Sequence, residues 1–150
     1  MNAVWLVSVS VMSVSETKYS TGLYRLAAVS SVAVGALLLA GAFGHFAAVW
    51  DRLTDATVSR LALLTPGVLL TLTGILNFVL VPTVWQARHW ATVVALIANT
   101  LAAGYFALLL YSGVAGHPIG LFLSITGAHA LMLLSINLGL IWPISTADLR

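Results

Sequence analysis

The chain has 150 residues, of which 61% are hydrophobic and only 7% are charged. A soluble domain usually carries about 25% charged residues, so this composition excludes a water-facing globular surface, and its hydrophobicity excludes intrinsic disorder. The formal net charge of +2 comes without any basic cluster, so we expect no nucleic-acid partner. The absence of cysteine excludes disulfides, thiolate metal sites and thiol catalysis. The composition predicts an integral membrane protein with a single domain over residues 1–150.

The charged residues divide the chain into three long apolar blocks. Twenty-five uncharged residues lie between Arg25 and Asp51, 27 between Arg60 and Arg88, and 59 between Arg88 and Asp148. A spanning helix needs about 20 apolar residues, so the first two blocks hold one helix each.

The third block holds two helices, because two glycines and a proline interrupt it within residues 111–118. The sequence therefore predicts an all-α membrane fold, an up-down bundle of four transmembrane helices at about 24–50, 59–84, 90–112 and 119–142. Tryptophans, which favour the membrane interface, stand at the predicted span ends: Trp50, Trp85, Trp90 and Trp142.

Lysine and arginine predict the orientation of this bundle. One side carries four of these residues and the other carries two, Arg52 and Arg60. The positive-inside rule then places both termini in the cytoplasm, across a bacterial-type plasma (inner) membrane. The four residues on the cytoplasmic side are Lys18, Arg25, Arg88 and Arg150.

Residues 1–20 form a leader of uncertain order before the first predicted span. The first fifteen are uncharged and too few to span, and no lysine or arginine precedes Lys18 as a signal peptide would require. Two interpretations stay open: the in-frame Met12 is the true start, or the segment lies at the membrane interface.

No aspartate, glutamate, lysine or arginine lies in the middle of a predicted span. Intramembrane charges are typical of proton relays and ion pathways, so we expect neither a carboxylate-coupled transporter nor a charged pore. The sequence also lacks a GxSxG turn and a glycine-rich phosphate loop, so we predict no catalytic residue and disfavour an enzyme.

Two intramembrane histidines are the candidate cofactor ligands. His45 and His129 lie on the first and fourth helices, which neighbour each other in an up-down bundle. Together they would ligate a haem b or contact a quinone. Counted from the outer ends of their helices, their depths differ by about 9 Å at 1.5 Å per residue. The alternative is that each is a buried structural histidine, and without an HxxxH spacing we predict no metal site.

Other polar and small residues predict helix packing. Asn77 and Asn99 lie at almost the same distance from the 85–90 turn, which predicts an interhelical hydrogen bond between them. Small residues allow helices to approach closely in a membrane. The candidates for such contacts are Gly41, Gly74 and Gly127.

The sequence favours a non-catalytic accessory or scaffold subunit whose partners are the lipid bilayer and other membrane subunits, or a second copy of itself. The first alternative is a haem b- or quinone-binding redox subunit. The second is a passive carrier or channel for a neutral or lipid-like solute. Architecture alone does not separate these functions.

Overall fold

A computed structural model of the protein describes residues 3–54, 59–113 and 117–139, with side chains for 21–54, 59–113 and 118–139. These residues contain four α-helices and no strand, which confirms the predicted all-α architecture. A short 3₁₀ helix, Trp50–Thr54, follows the first α-helix. The α-helices are α1 (Ala3–Val49), α2 (Arg60–Trp85), α3 (His89–Tyr111) and α4 (His117–Asn137).

The two middle helices begin and end within one residue of the predicted bounds, but α1 and α4 differ from them. α1 begins at Ala3 rather than at residue 24, because no proline or glycine precedes Gly22 to interrupt the helix. α4 ends at Asn137 rather than at residue 142, because Gly139 takes a φ of +63°. Such left-handed glycines commonly terminate helices. Trp142 lies outside the described residues.

Each helix contains an apolar stretch long enough to cross a membrane. These stretches cover 34, 26, 23 and 20 residues in chain order. The shortest is about 30 Å long at 1.5 Å per residue, which equals the thickness of a bilayer's hydrocarbon core.

The helices pack in chain order, and α1 also packs against α4, which closes the bundle. The turn between α2 and α3 places Ala87 at a φ of 57°, while the amide of Arg88 donates to the carbonyl of Thr83 and ends α2. At the start of α2, the Ser59 hydroxyl accepts a hydrogen bond from the amide of Ala62.

Candidate functional site

Most of the buried polar side chains lie between two apolar clusters of the bundle core. One cluster, near the α2–α3 turn, includes Ala28, Leu80 and Leu133, and the other includes Leu38 and Phe106. Between them, every helix contributes at least one buried polar residue. We call this set the central polar layer: Ser31, Thr73, Asn77, Asn99, Thr126 and His129.

His129 joins α4 to α1 in this layer. Its Nε2 atom lies 3.1 Å from the Ser31 hydroxyl oxygen, and its Nδ1 atom lies 3.4 Å from that of Ser30. Because the Ser30 hydroxyl donates to the Ala27 carbonyl, its oxygen is free to accept from Nδ1–H. Ser31 then donates to Nε2, and the neutral imidazole has a partner at both nitrogens.

Asn77 and Asn99 join α2 to α3 at the same level. The Asn99 Nδ2 atom donates to the Asn77 side-chain oxygen at 3.2 Å, and the Asn77 Nδ2 atom donates to that of Asn99 at 3.4 Å. The second hydrogen of each amide bonds its own helix, at the carbonyls of Thr73 and Ala95. Among the described residues, no buried side-chain nitrogen or oxygen lacks a hydrogen-bond partner.

Gly74 lies at a close crossing of α2 and α1. A Cβ atom at Gly74 would come within 2.9 Å of Leu39 Cγ and 3.2 Å of the Gly35 carbonyl oxygen. A Cβ atom at Gly35 would likewise come within 3.1 Å of the Gly74 carbonyl oxygen. The two glycines therefore form one backbone-to-backbone crossing, in which sequence reasoning missed Gly35.

The other two glycines predicted to pack differ from each other. A Cβ atom at Gly41 would overlap the Phe122 ring, so Gly41 lies in the α1–α4 contact. A Cβ atom at Gly127 would meet no atom within 4 Å, so Gly127 makes no close contact among the described residues.

α3 and α4 are joined by a hydrogen bond that sequence reasoning missed. The Thr92 hydroxyl donates to the Asn137 side-chain oxygen at 2.9 Å.

His45 joins α1 to the first turns of α2. Its Nε2 atom lies 2.7 Å from the carbonyl oxygen of Leu63. Since a carbonyl only accepts, Nε2 carries the hydrogen and Nδ1 is the acceptor nitrogen of the neutral ring. Pro66 has no N–H and leaves the Ala62 carbonyl without its intrahelical donor, so the His45 contact lies one residue from the carbonyl that the proline frees.

A cavity of about 600 Å³ opens beside His45. All four helices line it, at the end of the bundle that holds the α1–α2 and α3–α4 connections. Apart from His45 and the Tyr105 ring with its hydroxyl, the lining side chains are apolar. The main lining residues are Gly41, Gly44, Pro66, Phe106, Ile119 and Phe122.

The structure does not bring His45 and His129 together. His129 contacts Ser31, and fourteen residues separate Ser31 from His45 on α1, which is about 21 Å at 1.5 Å per residue. Two imidazoles at these levels do not reach one iron atom, and both nitrogens of His129 already have partners. Among the described residues, no group of three or more histidine, aspartate or glutamate side chains is placed to hold a metal ion.

Compared with protein-family models, curated proteins and solved structures, the chain shows no match. Sequence reasoning singled out His45 but missed Tyr105, whose hydroxyl makes no hydrogen bond to a described residue.

Proposed function

We propose that the protein is a non-catalytic subunit of the membrane, which spans a bacterial-type plasma membrane four times and assembles with other membrane helices or with itself. The observation that carries the assembly role is the presence of unfilled small residues on outward helix faces.

The apolar outer surface supports membrane insertion. Each helix exposes large apolar side chains, such as Phe43 on α1 at 79%, Leu61 on α2 at 77%, and Leu101 on α3 and Leu131 on α4 at 65% each. A soluble monomer rarely exposes apolar patches larger than a few hundred Å². In a bilayer the same side chains contact lipid, so they are not exposed to water.

The lysines and arginines support an orientation with both termini in the cytoplasm. The Cζ atom of Arg25 lies 5.4 Å from the centroid of the Trp85 ring, at the end of the bundle that also carries Arg88. Arg52 follows α1 and Arg60 starts α2 at the opposite end. The four-to-two bias favours the Arg25 end as the cytoplasmic one.

Introduced cysteines test this topology cleanly, because the chain has none of its own. Thr54→Cys and Gln86→Cys alter exposed positions at opposite ends of the bundle. In intact bacterial cells stripped of their outer membrane, we expect a membrane-impermeant maleimide to label Thr54→Cys. Gln86→Cys should react only after the membrane is disrupted. The reverse pattern would contradict the orientation, and equal labelling of both positions in intact cells would contradict membrane insertion.

The glycines support an assembly role. Those facing inward at Gly35, Gly41 and Gly74 contact another helix closely, whereas a Cβ atom at Gly104 or Gly127 would meet no atom within 4 Å. A glycine inside a helix costs about 1 kcal/mol relative to alanine, and neither of these two repays that cost within the described bundle. Outward small residues in membrane helices let a further helix approach closely.

Leucine at the outward glycines tests the assembly. After gentle extraction into lipid nanodiscs, we expect the wild type to carry a second copy or another membrane polypeptide, measured by native mass spectrometry and protein composition. Gly104→Leu and Gly127→Leu should weaken this association at least tenfold, because the new side chain holds the helices apart. Ala47→Leu, at an exposed position of α1, is the matched control and should leave it unchanged. A wild type that is always monomeric and free of other polypeptides would overturn the subunit role.

A further inference from the structure

The cavity beside His45 combines an aromatic wall with two polar groups, and neither feature is needed for the proposed assembly role. Its aromatic wall is formed by Tyr105, Phe106 and Phe122. The Phe106 and Phe122 ring centroids lie 5.7 Å apart with their planes tilted by 36°, and the Tyr105 ring meets the Phe106 ring edge-on at 5.6 Å. Flat apolar rings of this kind favour another aromatic ring as their neighbour.

Two polar groups on the cavity lining remain available for a ligand. The His45 Nδ1 atom is a hydrogen-bond acceptor, because Nε2–H is used by the Leu63 carbonyl. The Tyr105 hydroxyl can both donate and accept, and it bonds no described residue. An acceptor nitrogen and an available hydroxyl on the lining of one cavity are complementary to a ligand that carries a hydroxyl group of its own.

The size and walls of the cavity limit the ligand further. A volume of about 600 Å³ falls in the range of about 300–1,000 Å³ that is typical of small-molecule sites. Gly44 lines the cavity without a side chain, and a Cβ atom there would meet nothing within 4 Å. The Ala48, Ala62 and Pro118 residues near the connections are exposed, so the cavity is accessible at that end.

We propose that this cavity binds a phenol or hydroquinone ring with apolar substituents. The ligand's hydroxyl group donates to the His45 ring and accepts from the Tyr105 hydroxyl, and its ring packs against Phe106 and Phe122. This binding is independent of assembly through α3 and α4. It uses one histidine, and His129 takes no part in it.

The test compares 4-hexylphenol with its methyl ether, 4-hexylanisole, as probes of the full chain in nanodiscs. Isothermal titration calorimetry, with empty nanodiscs subtracted, measures the binding. We expect the ether to bind at least fivefold more weakly, since it cannot donate a hydrogen bond. Tyr105→Phe should weaken 4-hexylphenol binding about 3- to 10-fold, the effect of one hydrogen bond.

Gly44→Leu should weaken binding at least tenfold, because its side chain would occupy part of the cavity. Ala47→Leu, three residues along α1, should bind 4-hexylphenol as the wild type does. The proposal is overturned if the phenol and the ether bind equally, or if a folded Gly44→Leu variant keeps wild-type affinity. Should Gly44→Leu fail to fold, Tyr105→Phe decides the matter, since its hydroxyl supports no described contact: unchanged affinity there overturns the proposal.

Discussion

Gly74→Leu is expected to lower the free energy of unfolding by at least about 3 kcal/mol, at the upper end of the usual cost of overpacking. The Cβ atom alone would come within 3.2 Å of the Gly35 carbonyl oxygen, and backbone cannot rotate away as a side chain can. The remaining leucine atoms require α1 and α2 to move apart, which also loosens the apolar contacts on either side of the crossing. The higher helix propensity of leucine recovers less than about 1 kcal/mol. Thermal unfolding followed by circular dichroism in a mild detergent measures the loss.

Gly104→Leu supplies the control for this experiment. It adds the same side chain in place of the same residue, but a Cβ atom there meets nothing of its own chain within 4 Å. We expect the isolated monomer of this variant to unfold within about 0.5 kcal/mol of the wild type, as surface substitutions usually do. Equal destabilisation by the two variants would show that the Gly35–Gly74 crossing does not hold the bundle together.

The four helices and the contact between Asn77 and Asn99 could be predicted from the sequence, because both depend on distances along the chain. Charged residues divide the chain into blocks of the right length, and Asn77 and Asn99 lie at matching distances from one short turn. Their side chains meet at 3.2 Å in the structure. A short turn fixes the relative level of the two helices it joins, so counting residues from it is reliable.

The relative level of α1 and α4 cannot be counted in this way, because no short connection joins them. Sequence reasoning measured His45 and His129 from outer helix ends assumed to be level. In the structure His129 contacts Ser31, which lies twenty residues before Asp51, while His129 itself lies twelve residues after His117. α1, which ends at Val49, eighteen residues after Ser31, therefore continues about 9 Å farther than α4 at that end, at 1.5 Å per residue. Gly35 and Tyr105 were missed for a related reason, since their roles arise from the crossing of helices and not from spacing within one.

The central polar layer gives two helix pairs, α2 with α3 and α1 with α4, a partner-specific contact that apolar packing alone does not supply. Asn77 with Asn99 fixes α2 against α3, and His129 with Ser30 and Ser31 fixes α4 against α1. Sliding one helix by a turn would separate these groups and leave polar atoms unpaired in the core, at about 1–3 kcal/mol for each buried group. The layer thus fixes the relative depth of the two helices in each of these pairs.

His129→Ala is expected to cost about 2–4 kcal/mol of unfolding free energy, because it empties a ring-sized volume and leaves the Ser31 hydroxyl without its partner. Ser31→Ala removes the hydrogen bond to His129 Nε2 but keeps the imidazole and its packing, and interhelical hydrogen bonds in membranes average about 0.6 kcal/mol, so we expect less than about 1.5 kcal/mol there. His129→Leu, which keeps most of the volume, should fall between the two. Thermal unfolding in nanodiscs ranks the three variants.

Because His129 lies about 21 Å from His45 along the bundle, 4-hexylphenol binding should stay within twofold of the wild type in folded His129→Leu. A folded His129→Leu protein of wild-type stability that loses a bound ligand would contradict the structural role, since it would show that the imidazole serves a cofactor rather than the packing of α1 against α4.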